Sequence, residues 1–172
     1  MAYAKPISML VLAAAAVLTP LASAQDYPKL KPGLWELKRS SDRPDDRGQS
    51  TTMCMDESLQ REMYDMGRGA MSGMCSKHDF KITGSRGSGE SVCSVNGSTY
   101  HSRFTMTING DVAYRTEVET RVDPPTPNGS TLHSVIEARY TGPCQTGQRP
   151  GDMTLPNGQT INMRQALKGG RP

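Results

Sequence analysis

Between residues 98 and 140 apolar and polar side chains alternate with a period of two. In the segment from Ser98 to Ile108, Tyr100, Phe104, Met106 and Ile108 share one face, while Thr99, His101, Arg103, Thr105 and Thr107 share the other. From Asp111 to Val122 the pattern repeats, with Val112, Tyr114, Val118 and Val122 opposed to Asp111, Arg115, Glu117, Glu119 and Arg121. Successive side chains of a strand point to opposite faces, so both segments read as long strands with one wet face. Thr131 to Tyr140 is a third, with Leu132, Ile136, Ala138 and Tyr140 inward. Asn96-Gly97 and Asn109-Gly110 are two-residue hairpin signals, because Asn and Gly tolerate the positive φ that such turns require. Asp123 to Ser130, DPPTPNGS, is expected to be a loop.

The earlier half of the chain follows the same logic. Trp35 and Leu37 share one face of a short strand from Gly33 to Lys38, residues 40–48 are a charged loop, and Gln49 to Met55 is a second strand. Asp56 to Met66 predicts the one helix: Asp56 is a good N-cap, and Leu59, Met63 and Met66 at i, i+4 and i+7 form one apolar stripe. Gly67 and Gly69 are expected to end it, and a Gly- and Met-rich loop then leads to Cys75. Phe80 and Ile82 lie in the next strand, and Ser91, Cys93 and Val95 in the one after it. The glycine-rich run at 84–89 between them resembles a phosphate cradle only superficially, since a strand rather than a helix follows. The expected fold is all-β with one short helix: a curved antiparallel meander of about six to eight strands, open or partly closed as a barrel.

Composition changes this picture at both ends. Lys5, the apolar run Ile7 to Leu18, Pro20 and Ala22-Ser23-Ala24 together read as a secretory signal peptide over residues 1–24, cleaved near Ala24. An apolar run of about 12 residues is too short to cross a bilayer that needs about 20. The expected location is therefore periplasmic or secreted, with no membrane span. The expected organisation is a β-sheet domain over 25–144 and a Gly-, Pro-, Gln- and Arg-rich tail of low order over 145–172, with a weak turn of helix near Ile161 to Leu167. Without the signal the net charge falls from +3 to +2, which gives no electrostatic case for nucleic acid. Leu, Ile, Val and Phe number only 19 in the remaining chain, so the core must be thin and something else must brace it.

The four cysteines, Cys54, Cys75, Cys93 and Cys144, supply that brace. An even count in an exported chain reads as two disulfides. Of the three possible pairings, folding the segment from Cys75 to Cys93 as a hairpin about Gly84 favours Cys75 with Cys93 and leaves Cys54 for Cys144. The spacings do not match zinc-ligand patterns.

Candidate chemistry is sparse. No G-x-S-x-G elbow is present. His78, His101 and His133 sit on strands, the last two on outward faces. The Gly84 to Gly89 run is a turn, and Glu117, Glu119, Arg115 and Arg121 fit cross-strand pairs on a solvated face. What remains is an apolar inner face. Trp35, expected chiefly as a core anchor, joins Tyr100, Phe104, Met106 and Tyr114 as candidates to bind a small apolar ligand, lipid or protein segment without catalysis and without a cofactor. The alternative is Cu(I) handling by the Met-rich segment, through Met53, Met55, Met71 and Met74, because thioethers select Cu(I). A hydrolase, which requires a cleft holding a His beside a Ser or an acid, is the third reading.

Pro32-Gly33-Leu34-Trp35-Glu36 after a signal peptide, Met53-Cys54-Met55, the acid-capped helix, Cys75 before Asp79-Phe80, Cys93 in the following strand and Gly142-Pro143-Cys144 occur in a specific order. In these features the chain resembles the bacterial domain of unknown function 3617. The resemblance implies an exported, mostly β protein with no assigned activity and no established site residues, and the chain after Cys144 is longer than the family's usual ending.

Overall fold

The computed structural model describes residues 27–127 and 129–165, with the side chains of 66–72 outside that description. The expected signal peptide therefore lies outside the described residues. Among the described residues nine strands form one antiparallel sheet: β1 (Gly33–Ser41), β2 (Gln49–Met55), β3 (Cys75–Thr83), β4 (Arg86–Val95), β5 (Ser98–Asn109), β6 (Ala113–Thr126), β7 (Gly129–Gly142), β8 (Asp152–Thr154) and β9 (Thr160–Asn162). Their order is β3-β4-β5-β6-β7-β1-β2-β8-β9. β3 and β9 are not paired with each other, so the sheet is open rather than a closed barrel.

Helix α1 (Glu57–Ser72) returns the chain from β2 to the far edge at β3. Six strand steps separate β2 from β3, about 29 Å along the sheet at ~4.8 Å per step. A helix of 16 residues is about 24 Å long. This crossing explains why α1 does not stop at Gly67 as the sequence suggests. Each interior glycine costs about 1 kcal/mol relative to Ala, a weak local penalty that the crossing overrides. The Gly- and Met-rich loop expected before Cys75 is therefore mostly helix. The N-cap is where the sequence puts it, with Asp56 Oδ1 accepting the Leu59 N–H at 2.7 Å.

The alternation survives in three dimensions. The buried or half-buried positions of β5 and β6 include Tyr100, Phe104, Met106, Ile108, Tyr114, Val118 and Val122, and the charged positions between them are exposed. Val112 is an exception. It lies in the turn before β6 and is exposed, because the Tyr140 N–H takes the Val112 carbonyl at 2.7 Å and the Lys31 N–H takes that of Asp111 at 2.8 Å. Asp123 to Thr126 is strand rather than loop. The β6–β7 register breaks between Arg121 and Thr126, so Pro124 and Pro125 sit where no regular ladder needs their missing N–H groups.

The core is small: Trp35, Met53, Met55, Leu59 and Ala138 are buried, with Leu37, Tyr114, Tyr140, Met153 and others packed against them. Two disulfides frame it, Cys54 to Cys144 and Cys75 to Cys93. The chain past Cys144 differs most from expectation. Instead of a low-order tail, residues 145–165 add the β8–β9 hairpin to β2 and end in a helical turn. Polar groups replace the missing aliphatics there. Asp152 accepts the Arg149 N–H at 2.8 Å and the Asn162 amide at 2.7 Å, and these bonds hold its carboxyl below the usual range. Arg164 reaches Glu62 at 2.8 Å and Asp56 at 3.2 Å, which ties the tail to the start of α1.

Candidate binding groove

The two faces of the sheet are chemically different. The outer face carries charge ladders. Arg139 donates to Glu36 at 2.6 Å, Lys77 to Glu90 at 2.7 Å, and Arg115 bridges Glu117 of its own strand and Glu137 of β7. Hydrogen bonds from Arg139 and Ser50 lower the pKa of Glu36, and the Lys77 contact lowers that of Glu90 while raising that of Lys77. His101 and His133 lie on this face, exposed, opposite Arg121 and Glu119 respectively.

The inner face carries α1 and the segment Tyr27 to Pro32, and an apolar groove of about 180 Å³ opens between them and the sheet. Leu30, Met55, Met63, Ile82, Met106 and Ile108 supply its aliphatic and thioether walls, and Tyr27, Tyr64, Phe80 and Tyr114 its aromatic ones. Each wall has a local cause. Met63 stands one turn beyond buried Leu59 on α1, Ile82 and Phe80 are alternate residues of β3, and Met106 and Ile108 of β5 pair with Thr116 and Tyr114 of β6. Burial raises the pKa of the Tyr114 hydroxyl. Tyr27 packs against Tyr64 with ring centroids 5.4 Å apart and planes tilted by 31°, and its buried hydroxyl has no hydrogen-bond partner among the described residues.

The N-terminal segment is fixed by a side chain acting as backbone. Gln60 accepts the Leu30 N–H at 2.9 Å and donates to the Leu30 carbonyl at 2.8 Å. One residue on, the Lys31 carbonyl accepts the Trp35 indole N–H at 2.8 Å.

Two glycines make the inner surface possible. A Cβ on Gly89 would overlap the Phe104 ring and the Asp79 carbonyl, so the bare backbone is what lets Phe80 and Phe104 lie 5.2 Å apart across β4. Gly87 sits beneath Met106 and Phe80 in the same way, less tightly. The glycine-rich run is thus only partly a turn. Gly84-Ser85 make the turn, while Gly87 and Gly89 are strand residues.

Of the five sequence-predicted binding residues, Met106 and Tyr114 line the groove. Phe104 backs it through Phe80. Tyr100 lies farther along the inner face, opposite Cys93 and Val122. Trp35 is the core anchor expected of it, and only its candidacy as a binding residue is a correction: it is fully buried between Tyr114 and Tyr140 and has no surface to offer a ligand. The thioether set is a second correction. Met53 and Met55 are buried in the core before α1, and Met74 is half exposed beyond its other end, about 24 Å away by the length of the helix. The Met71 side chain lies outside the described residues. Among the described residues no three His, Cys, Asp or Glu side chains gather as a metal site. Sequence reasoning missed Leu30, Gln60, Tyr64 and Tyr27. The only signal for Gln60 and Tyr64 was the stripe of α1 beside which they lie, which shows that the helix has an apolar face but not what lies under it.

The family model described as protein of unknown function, DUF3617, matches residues 30–144, two thirds of the chain, and the chain belongs to that family. No curated protein and no solved structure matches it.

Proposed function

We propose that this member of the DUF3617 family is an exported, non-enzymatic protein that binds a small apolar molecule between α1 and the inner face of the sheet. The groove carries the reading. Its walls come from four separate parts of the chain, and nearly all of its lining is aliphatic, thioether or aromatic. A cavity of about 180 Å³ is close to the ~150 Å³ that accepts one benzene ring, so the occupant is a single ring or a short acyl segment rather than a whole lipid. Thioethers adapt to ligand shape and make favourable contacts with aromatic rings. Two disulfides support an oxidising compartment, and the charge, apolar run and A-x-A site of residues 1–24 support export to it.

The test is titration of the purified protein with 3-phenylpropanol by calorimetry, beside mass spectrometry of organic extracts of protein purified from the periplasm. Saturable binding at one site, lost in Met106→Trp and in Met63→Trp, is the expected result. No saturable heat together with clean extracts overturns the reading.

A further inference from the structure

β3 and β9 are the two edges of the sheet, and they are unlike. β9 has three residues; β3 has nine, with no proline among them. An edge strand offers a row of backbone groups to another strand, and sheets blunt such edges by shortness, proline, bulges or inward-pointing charge. β9 is blunted by its length. β3 has a register shift between Cys75 and Lys77, but from Lys77 to Thr83 its pairing with β4 is unbroken. Over that stretch Lys77, Asp79 and Lys81 share the outer face, and His78, Phe80 and Ile82 the inner one.

The hairpin fixes which backbone groups are left over. Gly84 and Ser85 form a two-residue turn with Gly84 at φ +59°, so Thr83 and Arg86 close it as a hydrogen-bonded pair. Alternation along the ladder directs the groups of Lys81 and Asp79 to β4 as well, and a Cβ on Gly89 of β4 would meet the Asp79 carbonyl. The N–H and C=O groups of His78, Phe80 and Ile82 then point the other way, off the edge of the sheet.

We propose that β3 pairs antiparallel with β3 of a second copy of this chain, about a two-fold axis at Phe80. Phe80 is the midpoint of the regular stretch. Its free N–H and C=O meet those of the partner's Phe80, and the groups of His78 meet those of the partner's Ile82. The charges select this register. It sets Asp79 against the partner's Lys81, and Lys81 against the partner's Asp79, at positions where side chains approach most closely. An axis one residue earlier sets Asp79 against the partner's Asp79 and Lys77 against the partner's Lys81. An axis one residue later sets Lys81 against the partner's Lys81. Both charges are available. Lys81 has no ion pair among the described residues, and Asp79, 72% exposed, lies 3.7 Å from a Lys77 that is bonded to Glu90 at 2.7 Å. The dimer forms with or without a ligand in the groove.

Two strand edges bury less than a standard interface, so dissociation is expected between about 1 μM and 1 mM. Sedimentation equilibrium of the purified protein should show the mass rising from one copy to two across that range. Amide hydrogen exchange of the unmodified protein should show His78, Phe80 and Ile82 gaining protection with concentration, while Asp79 and Lys81 are protected throughout. Asp79→Lys and Lys81→Asp each put like charges opposite and should each weaken association about tenfold. The double variant Asp79→Lys/Lys81→Asp should restore it. A protein still monomeric at about 1 mM overturns the proposal. So does a dimer in which the three amides stay open, or one that either single variant leaves unchanged or that the double variant fails to restore.

Discussion

Gln60 and Leu30 exchange two hydrogen bonds, at 2.9 and 2.8 Å, so a side-chain amide on α1 pairs with the N-terminal segment as a neighbouring strand would. The pair is the joint between helix and segment, and both residues are also walls of the groove. Gln60→Ala leaves the Leu30 N–H and carbonyl without these partners and should cost about 1–3 kcal/mol. The loss is to be read from urea unfolding. Hydrogen exchange should show the Leu30 amide losing protection ahead of the sheet. Gln60→Glu, which keeps the acceptor and loses the donor, should fall between.

Gly89 exists to let two aromatic rings approach. Gly89→Ala forces a methyl group into the Phe104 ring and the Asp79 carbonyl, and overpacking of this kind costs about 1–3 kcal/mol. Gly87→Ala meets Met106 Cβ at 3.3 Å and should cost less. Chemical unfolding of the two variants gives the order, and near-ultraviolet circular dichroism should show the aromatic pair disturbed in the first.

The two disulfides should differ in worth. Cys54 and Cys144 are 90 residues apart, Cys75 and Cys93 only 18. In the chain-entropy account the longer loop contributes roughly 4–5 kcal/mol and the shorter about 3. The Cys54→Ser/Cys144→Ser double variant should therefore melt below Cys75→Ser/Cys93→Ser. The longer bridge also ties β2 to the segment after β7, on either side of β1.

The Glu36–Arg139 pair gives a pH dependence of fixed sign. Hydrogen bonds from Arg139 and Ser50 hold the Glu36 pKa below its unfolded value. Its contribution to stability is then present above the ordinary carboxylate range and is lost as pH falls through the lowered, folded-state pKa. Glu36→Gln should lower the melting temperature at pH 7, and the gap to the parent protein should shrink steadily below about pH 4. High salt at pH 7 should narrow the gap as well, since the pair is on the outer face.

The long strands of the meander were legible because alternation is a local property. Each residue from Tyr100 to Ile108 takes its face from its neighbours, and the structure keeps that assignment. The N-cap at Asp56 was legible for the same reason. The length of α1 was not, because nothing near Gly67 encodes a crossing of six strand steps. The ordering of residues 145–165 was equally hidden. It depends on Asp152, Asn162 and Arg164 finding partners on each other and on α1, and composition counts such residues only as polar. The groove was half visible: Met106 and Tyr114 follow from periodicity, whereas Leu30 and Gln60 meet across 30 residues.

The sequence by itself determined which residues alternate, where the helix begins, that four cysteines form two bridges, and that one sheet face is apolar. Those are consequences of backbone geometry and side-chain chemistry acting over a few residues. The tertiary structure decided what covers that face. It buried Trp35 beyond reach of any ligand and left Met106 and Tyr114 lining a space between the sheet, α1 and the N-terminal segment. The reason is that strand order and helix path bring together residues far apart in the chain, and no local pattern records which of them will meet.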